Sequence, residues 1–157
     1  MIRIRSATHA DEGLVEEIIH ASMLASYAHF LQAPLFQTIL DQDRPGRVAR
    51  DNAPRFSVAE ADGVAAGIML LKDNYVDHLW VRPEFMGMGI GSVLLEHAEE
   101  RAGHAGFDRL ILDCFEKNEK ALAFYRTRGF TVERISDASE YLPGENACRL
   151  SKLLVSA

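Results

Sequence analysis

The chain has 157 residues, which at roughly 150 residues per domain leaves room for one core, so a single domain over residues 1–157 is expected. Hydrophobic residues make up 48% and charged residues 25%, the balance of an ordinary globular protein, which excludes disorder and fibrous repeats. Basic residues number 17 against 23 acidic, a net charge of −6, and this excludes a nucleic-acid partner as the default because such binding needs clustered Lys and Arg.

Ile2 to Ile4 alternate apolar and basic and read as a short strand, after which Thr8 or Asp11 offers an oxygen to cap a helix. Leu14, Val15, Ile18, Ile19 and Met23 recur at three- to four-residue intervals, so that helix has one apolar face. The N-terminal stretch MIRIRSATHADE has no apolar core of a signal peptide and no run approaches 18 apolar residues, so a cytoplasmic protein without a membrane span is expected. From Tyr27 to Pro54 the signal weakens. Pro34, Pro45 and Gly46 punctuate it, and Phe36 to Leu40 suggests one short helix.

Phe56 to Ala61 and Val64 to Leu71 flank Asp62-Gly63, a pair that supplies the positive φ angles of a tight hairpin turn. Tyr75 to Val81 is the next strand, stopped at Arg82-Pro83 because proline cannot donate to a ladder. Ile90 to Arg101 traces a helix, Arg109 to Phe115 a strand, Asn118 to Arg128 a helix with Gly129 placed to end it, and Phe130 to Ile135 and Ala147 to Leu154 complete the sheet. The total is an α/β (or α+β) domain of about seven strands and four helices. Cys114 and Cys148 stand far apart in apolar, strand-like surroundings with no CxxC, which disfavours zinc or a redox dithiol and suggests buried thiols acting as small hydrophobes. No metal is expected.

The segment VRPEFMGMGIGSVLLEHAEE puts Gly87, Gly89 and Gly91 between a strand and a long helix. A helix N-terminus carries unpaired N–H groups and a partial positive charge, and glycines let a phosphate approach them closely. An anion site follows, set against the plainer reading of a tight junction. The spacing fits neither a dinucleotide fingerprint nor a P-loop. In the second segment, NEKALAFYRTRGF, Asn118 can cap a helix on which Ala121, Leu122, Phe124, Tyr125 and Arg128 recur at helical spacing. By periodicity alone Phe124 and Leu122 are core.

Together the two segments resemble the GNAT superfamily of N-acetyltransferases. Met86, Gly89 and Gly91 occupy the three defined positions of its Q/R-x-x-G-x-G/A signature, and Asn118, Ala121, Phe124, Tyr125, Gly129 and Phe130 match its second signature. The resemblance implies a mixed, mostly antiparallel twisted sheet flanked by helices, with acetyl-coenzyme A as co-substrate. The coenzyme would lie in a V-shaped gap between Tyr75–Val81 and Arg109–Phe115, its pantetheine on the backbone of Leu79, Trp80 and Val81. Its pyrophosphate would rest on the turn formed by Met86, Gly87, Met88, Gly89, Ile90, Gly91 and Ser92. Asn118, Phe124 and Arg128 would complete the coenzyme site, although Arg128 equally suits a solvated helix face. One departure stands out: Met86 replaces the family's glutamine or arginine and Met88 a common basic residue, so only backbone N–H groups remain to grip the pyrophosphate there.

The resemblance further implies that a primary amine, on a small molecule or a peptide, attacks the thioester directly. A backbone N–H near Trp80 would stabilise the oxyanion. Tyr125 matches the general acid that protonates the leaving thiolate, and phenol and thiol pKa values lie within about two units. Asp77 and His78, strand neighbours that point to opposite faces so that at most one is expected to face the substrate cleft, are the candidates for the base. Tyr27 and Phe30 are candidate acceptor-pocket residues, with ordinary core packing as the alternative. A non-catalytic acyl-CoA sensor is the competing function. A homodimer through the C-terminal strands, common in the family, and a covered strand in a monomer both suit Ala147 to Leu154.

Overall fold

A computed structural model of the chain describes residues 1–155; residues 156 and 157 of the expected domain lie outside the described ones. The strands are β1 (Ile2–Ser6), β2 (Phe56–Ala61), β3 (Val64–Lys72), β4 (Tyr75–Val81), β5 (Arg109–Phe115), β6 (Thr131–Asp137) and β7 (Asn146–Leu153). The helices are α1 (Glu12–Tyr27), α2 (Ala33–Asp41), α3 (Arg44–Asn52), α4 (Ile90–His104) and α5 (Glu119–Thr127). The sheet is the expected one of seven strands, in the order β1-β2-β3-β4-β5-β7-β6. Helix α3 lies where Pro45 and Gly46 suggested only interruption. Pro45 sits in its first turn, where the missing N–H costs nothing.

The helices cover both faces. On one, Leu94, Leu95, Ala98 and Ala102 of α4 and Leu122 of α5 pack on Met69, Leu110, Leu112 and Leu150. On the other, Val15, Ile18 and Ile19 of α1, Ile39 of α2 and Ala49 of α3 pack on Phe56, Val58, Ile68 and Leu70. Strands β2 and β3 therefore alternate their apolar residues between two cores.

Among the described residues only β4 and β5 run parallel, joined by the α4 crossover, and they pair solely at Tyr75 with Ile111 and Val76 with Leu112. Just beyond, β4 carries a bulge: Leu70 faces His78 while Leu71 faces Val76, leaving Asp77 as the extra residue. A bulge bends its strand and raises its twist, and the two strands part beyond it. The result is the V-shaped gap expected between them. Strand β7 is paired by β5 on one side and β6 on the other, so it has no free edge.

Candidate active site

The gap opens into a cleft of about 1490 Å³ running from the α4 N-terminus past β4 and β5 to α1 and α3. That exceeds the roughly 300–1,000 Å³ typical of a site for one small ligand. There is room for a long coenzyme and an acceptor together.

At one end lies the glycine turn. Gly87 and Gly89 have φ of 80° and 86°, a region that side chains disfavour, and Gly89 stands at the N-cap of α4. The first-turn N–H groups of Ile90, Gly91 and Ser92 are therefore free of helical partners. Gly91 lets α5 come close: a Cβ there would lie 3.0 Å from the Phe124 ring. Met86 and Met88 are 47% and 57% exposed, and neither side chain brings a charge or an N–H donor to this nest. Arg128 is tied down instead of solvated. Its Nε donates to Ser92 Oγ at 2.8 Å, Nη1 donates to the Phe124 carbonyl at 2.9 Å, and the guanidinium stacks 3.7 Å from the Phe124 ring centre. A cation thus sits against the first turn of α4.

The middle of the cleft is backbone. The Arg82 N–H donates to the Ala66 carbonyl at 2.8 Å, and the register pairs Ile68 with Trp80, so alternation turns the backbone of Trp80 toward β3 and that of Leu79 and Val81 into the gap. Trp80 is thereby separated from its two neighbours: its peptide belongs to the ladder and its ring to the opposite core. The Val81 carbonyl is occupied by Ser22 on α1, whose hydroxyl donates to it at 2.7 Å. Leu79 keeps both polar groups for a ligand. Asn118 caps α5, its Oδ1 accepting from the Ala121 N–H at 3.3 Å.

Tyr125, Cys114 and Tyr27 all line the cleft. Burial pushes the Tyr125 phenol well above its usual range, with Cys114 and Tyr27 as the neighbouring groups that add to it and no hydrogen-bond partner for the hydroxyl. Its ring is fixed edge-on by Phe124 and Phe130, at 5.2 and 5.7 Å. Burial likewise pushes the Cys114 thiol up to about 12. Of the two cysteines only Cys148 is buried; Cys114 is half-buried, because the splay of β4 from β5 uncovers it. Tyr27 meets Phe30, Trp80 and Phe115 edge-on at 5.3, 5.9 and 5.7 Å, forming an aromatic wall on the α1 side.

Asp77 and His78 do not diverge as ideal strand neighbours would. The bulge brings Asp77 Oδ2 to 3.9 Å from His78 Nε2, and Lys72 Nζ lies 3.1 Å from the same oxygen. The Trp80 indole N–H donates to His78 Nδ1 at 3.0 Å. Burial lowers the His78 pKa below its ordinary value, with Lys72 acting in the same direction and Asp77 against it.

A glycine nest with an adjacent arginine, a splayed parallel pair beside a bulge, and a tyrosine facing the gap now stand in one cleft. The acetyltransferase (GNAT) family model matches residues 15–130. The chain belongs to that family. It is 28% identical over 137 residues to the peptidyl-lysine N-acetyltransferase YjaB of Salmonella typhimurium, covering 87% of this chain and 77% of that protein. Its fold is similar to the solution structure of apo YjaB from Escherichia coli, with a TM-score of 0.75, 29% identity, and coverage of 100% of this chain and 99% of the other. A PaiA N-acetyltransferase from Thermoplasma acidophilum, solved with coenzyme A, shares the fold with a TM-score of 0.76 at 21% identity, over 98% of this chain and 99% of its own. As a GNAT enzyme this chain is an N-acetyltransferase.

Two parts of the site had no sequence signal of their own. Ser22 is an ordinary polar residue within α1, and Cys114 reads as strand core; only the strand splay and the α1 crossing bring them to the cleft. Among the described residues no group of three or more His, Cys, Asp or Glu could hold a metal, and no helix is long and apolar enough to cross a membrane.

Proposed function

We propose that this chain is a single-domain, cytoplasmic enzyme that moves the acetyl group of acetyl-coenzyme A to a primary amine, with a lysine side chain as the acceptor. The observation that carries the reading is Tyr125: a hydroxyl without a hydrogen-bond partner among the described residues, lining the same cleft as Leu79. The lysine acceptor is supported by the YjaB relative and the coenzyme by the PaiA complex.

The coenzyme's pyrophosphate rests on the N–H groups of Gly87 to Ser92, with Arg128 beside it, and its pantetheine pairs with Leu79 and Val81. The acceptor enters past Tyr27 and Phe30. Its ammonium, with pKa near 10.4, releases one proton to solvent. The free amine attacks the thioester carbonyl, the C–N bond forms, and the Leu79 N–H stabilises the oxyanion. As the C–S bond breaks, sulfur takes the phenolic proton of Tyr125. The proton shed by nitrogen ultimately restores Tyr125, so one proton is released per turnover.

The competing reading, an acyl-CoA sensor without catalysis, draws on Met86 and Met88 in place of polar side chains. Thiol release from acetyl-coenzyme A, measured with lysine peptides and small amines, separates the two. Amine-dependent release that falls 10²- to 10⁴-fold in Tyr125→Phe, with coenzyme binding retained, is the expected result. Binding without release under any amine would select the sensor, and an unchanged kcat in Tyr125→Phe would remove the assignment of the acid.

A further inference from the structure

We propose that the Trp80 indole selects the tautomer of His78 and thereby makes Asp77, not His78, the group that takes the proton shed by the acceptor nitrogen as the C–N bond forms. The assignment rests on the acetyltransferase reading above; the tautomer does not.

An indole nitrogen can only donate. With Trp80 Nε1 at 3.0 Å from His78 Nδ1, that ring nitrogen must present its lone pair, and the single proton of the neutral imidazole sits on Nε2. An imidazolium would set two N–H groups against each other at this contact. The ring is therefore closed as a base on both sides: Nδ1 is occupied by the indole and Nε2 already carries its hydrogen. Its buried position, against the Phe56 ring at 5.9 Å, disfavours the charged form in the same sense.

The protonated Nε2 faces Asp77. Both cationic or donor contacts of that carboxylate, Lys72 Nζ at 3.1 Å and His78 Nε2 at 3.9 Å, fall on Oδ2, which leaves Oδ1 for a ligand. The charged groups around the imidazole are Asp77 on β4 and Lys72 on β3. Strand β2 presents Phe56, and α3 lines the same cleft with Arg47 and Asp51. Trp80 and His78 are positioning residues in this scheme, orienting a carboxylate that opens on the cleft. The proton balance is unchanged: nitrogen gives its proton to Asp77, sulfur takes that of Tyr125, and Asp77 returns the first through solvent.

The test begins with imidazole ¹⁵N NMR of the free wild-type protein near pH 7.5, which requires no activity. His78 is expected with Nδ1 unprotonated and Nε2 protonated, and Trp80→Phe is expected to populate the other tautomer and raise the His78 pKa. A protonated Nδ1 in the wild type would overturn the proposal. Kinetics then separate the roles. A glutamine can accept from Trp80 as the histidine does and still present N–H groups toward Asp77, so His78→Gln should hold kcat/KM within tenfold while His78→Ala loses more. Asp77→Asn should lose 10²- to 10⁴-fold. Equal losses in His78→Gln and Asp77→Asn, with coenzyme binding intact, would make His78 the base. The acid limb of kcat/KM should also follow the amine pKa when acceptors of different basicity are compared; a limb fixed whatever the amine would count against Asp77. If the wild-type protein acetylates no amine, the functional reading falls and takes the proton assignment with it, while the tautomer result is judged separately.

Discussion

Ser22 on α1 donates its hydroxyl proton to the carbonyl of Val81 at the end of β4, 2.7 Å away and 59 residues distant in sequence. This bond fastens α1 to the end of β4, and it satisfies a carbonyl that the sheet alternation turns away from β3. Removing it in Ser22→Ala leaves that carbonyl unpaired, a cost of about 1–3 kcal/mol. Differential scanning calorimetry should show a fall of roughly 2–4 °C for each kcal/mol in a domain of this size. A Tm within 1 °C of wild type would show that the bond contributes nothing.

Gly89→Ala tests the anion nest without touching a side chain. The residue holds φ of 86° at the N-cap of α4, a left-handed conformation that costs about 1–2 kcal/mol once a Cβ is present. Relief of that strain would rotate the N–H groups proposed to hold the pyrophosphate. The expected outcome is a KM for acetyl-coenzyme A raised several-fold to about tenfold, tenfold being about 1.4 kcal/mol, with a smaller change in kcat. Titration calorimetry with coenzyme A checks it directly; unaltered affinity would mean the nest does not bind.

The glycine turn and the start of α5 were legible because their structure is set locally. Gly87 and Gly89 must adopt positive φ, Asn118 must cap α5, and Tyr125 must sit a fixed number of turns along one helix, so each leaves a trace in spacing. The α1 side of the cleft is built from distant pieces. Whether Asp77 and His78 diverge or converge depends on a bulge that only pairing with β3 defines. The Ser22 contact depends on how α1 crosses the sheet. Helix α3 was hidden for a different reason: Pro45 and Gly46 read as breakers, whereas Pro45 in the first turn of a helix is no breaker at all.

Arg128, the C-cap of α5, sets against the glycine turn a charge that Met86 and Met88 do not carry. Its guanidinium is fixed by Ser92 Oγ at 2.8 Å and by stacking 3.7 Å from the Phe124 ring centre. Arg128→Ala should therefore raise the KM for acetyl-coenzyme A by about tenfold, and the difference from wild type should shrink as salt screens the charge. Arg128→Lys should rescue little, since an ammonium lacks the planar fork that serves both contacts. Full rescue by lysine would reduce the role to charge alone.

Far from the cleft, Arg5 and Asp11 set an acid limit on stability. Arg5 Nη1 lies 2.9 Å from Asp11 Oδ2, and the same carboxylate accepts from the Thr8 N–H at 2.8 Å as part of the cap before α1. The arginine's hydrogen bond, aided by the Thr8 N–H, holds the Asp11 carboxyl down to about 2 from an ordinary 3.8. Since the folded value is the lower one, the stabilisation is complete above the unfolded value near 3.9 and is lost as pH falls from there through about 2. Arg5 is 38% exposed, so the contribution is on the order of 1 kcal/mol after allowance for solvent screening. Arg5→Gln should lower Tm slightly at pH 7 and should flatten the Tm against pH curve specifically between about pH 4 and pH 2. A parallel offset across the whole range would show instead that Arg5 acts by packing, with no protonation linkage to Asp11.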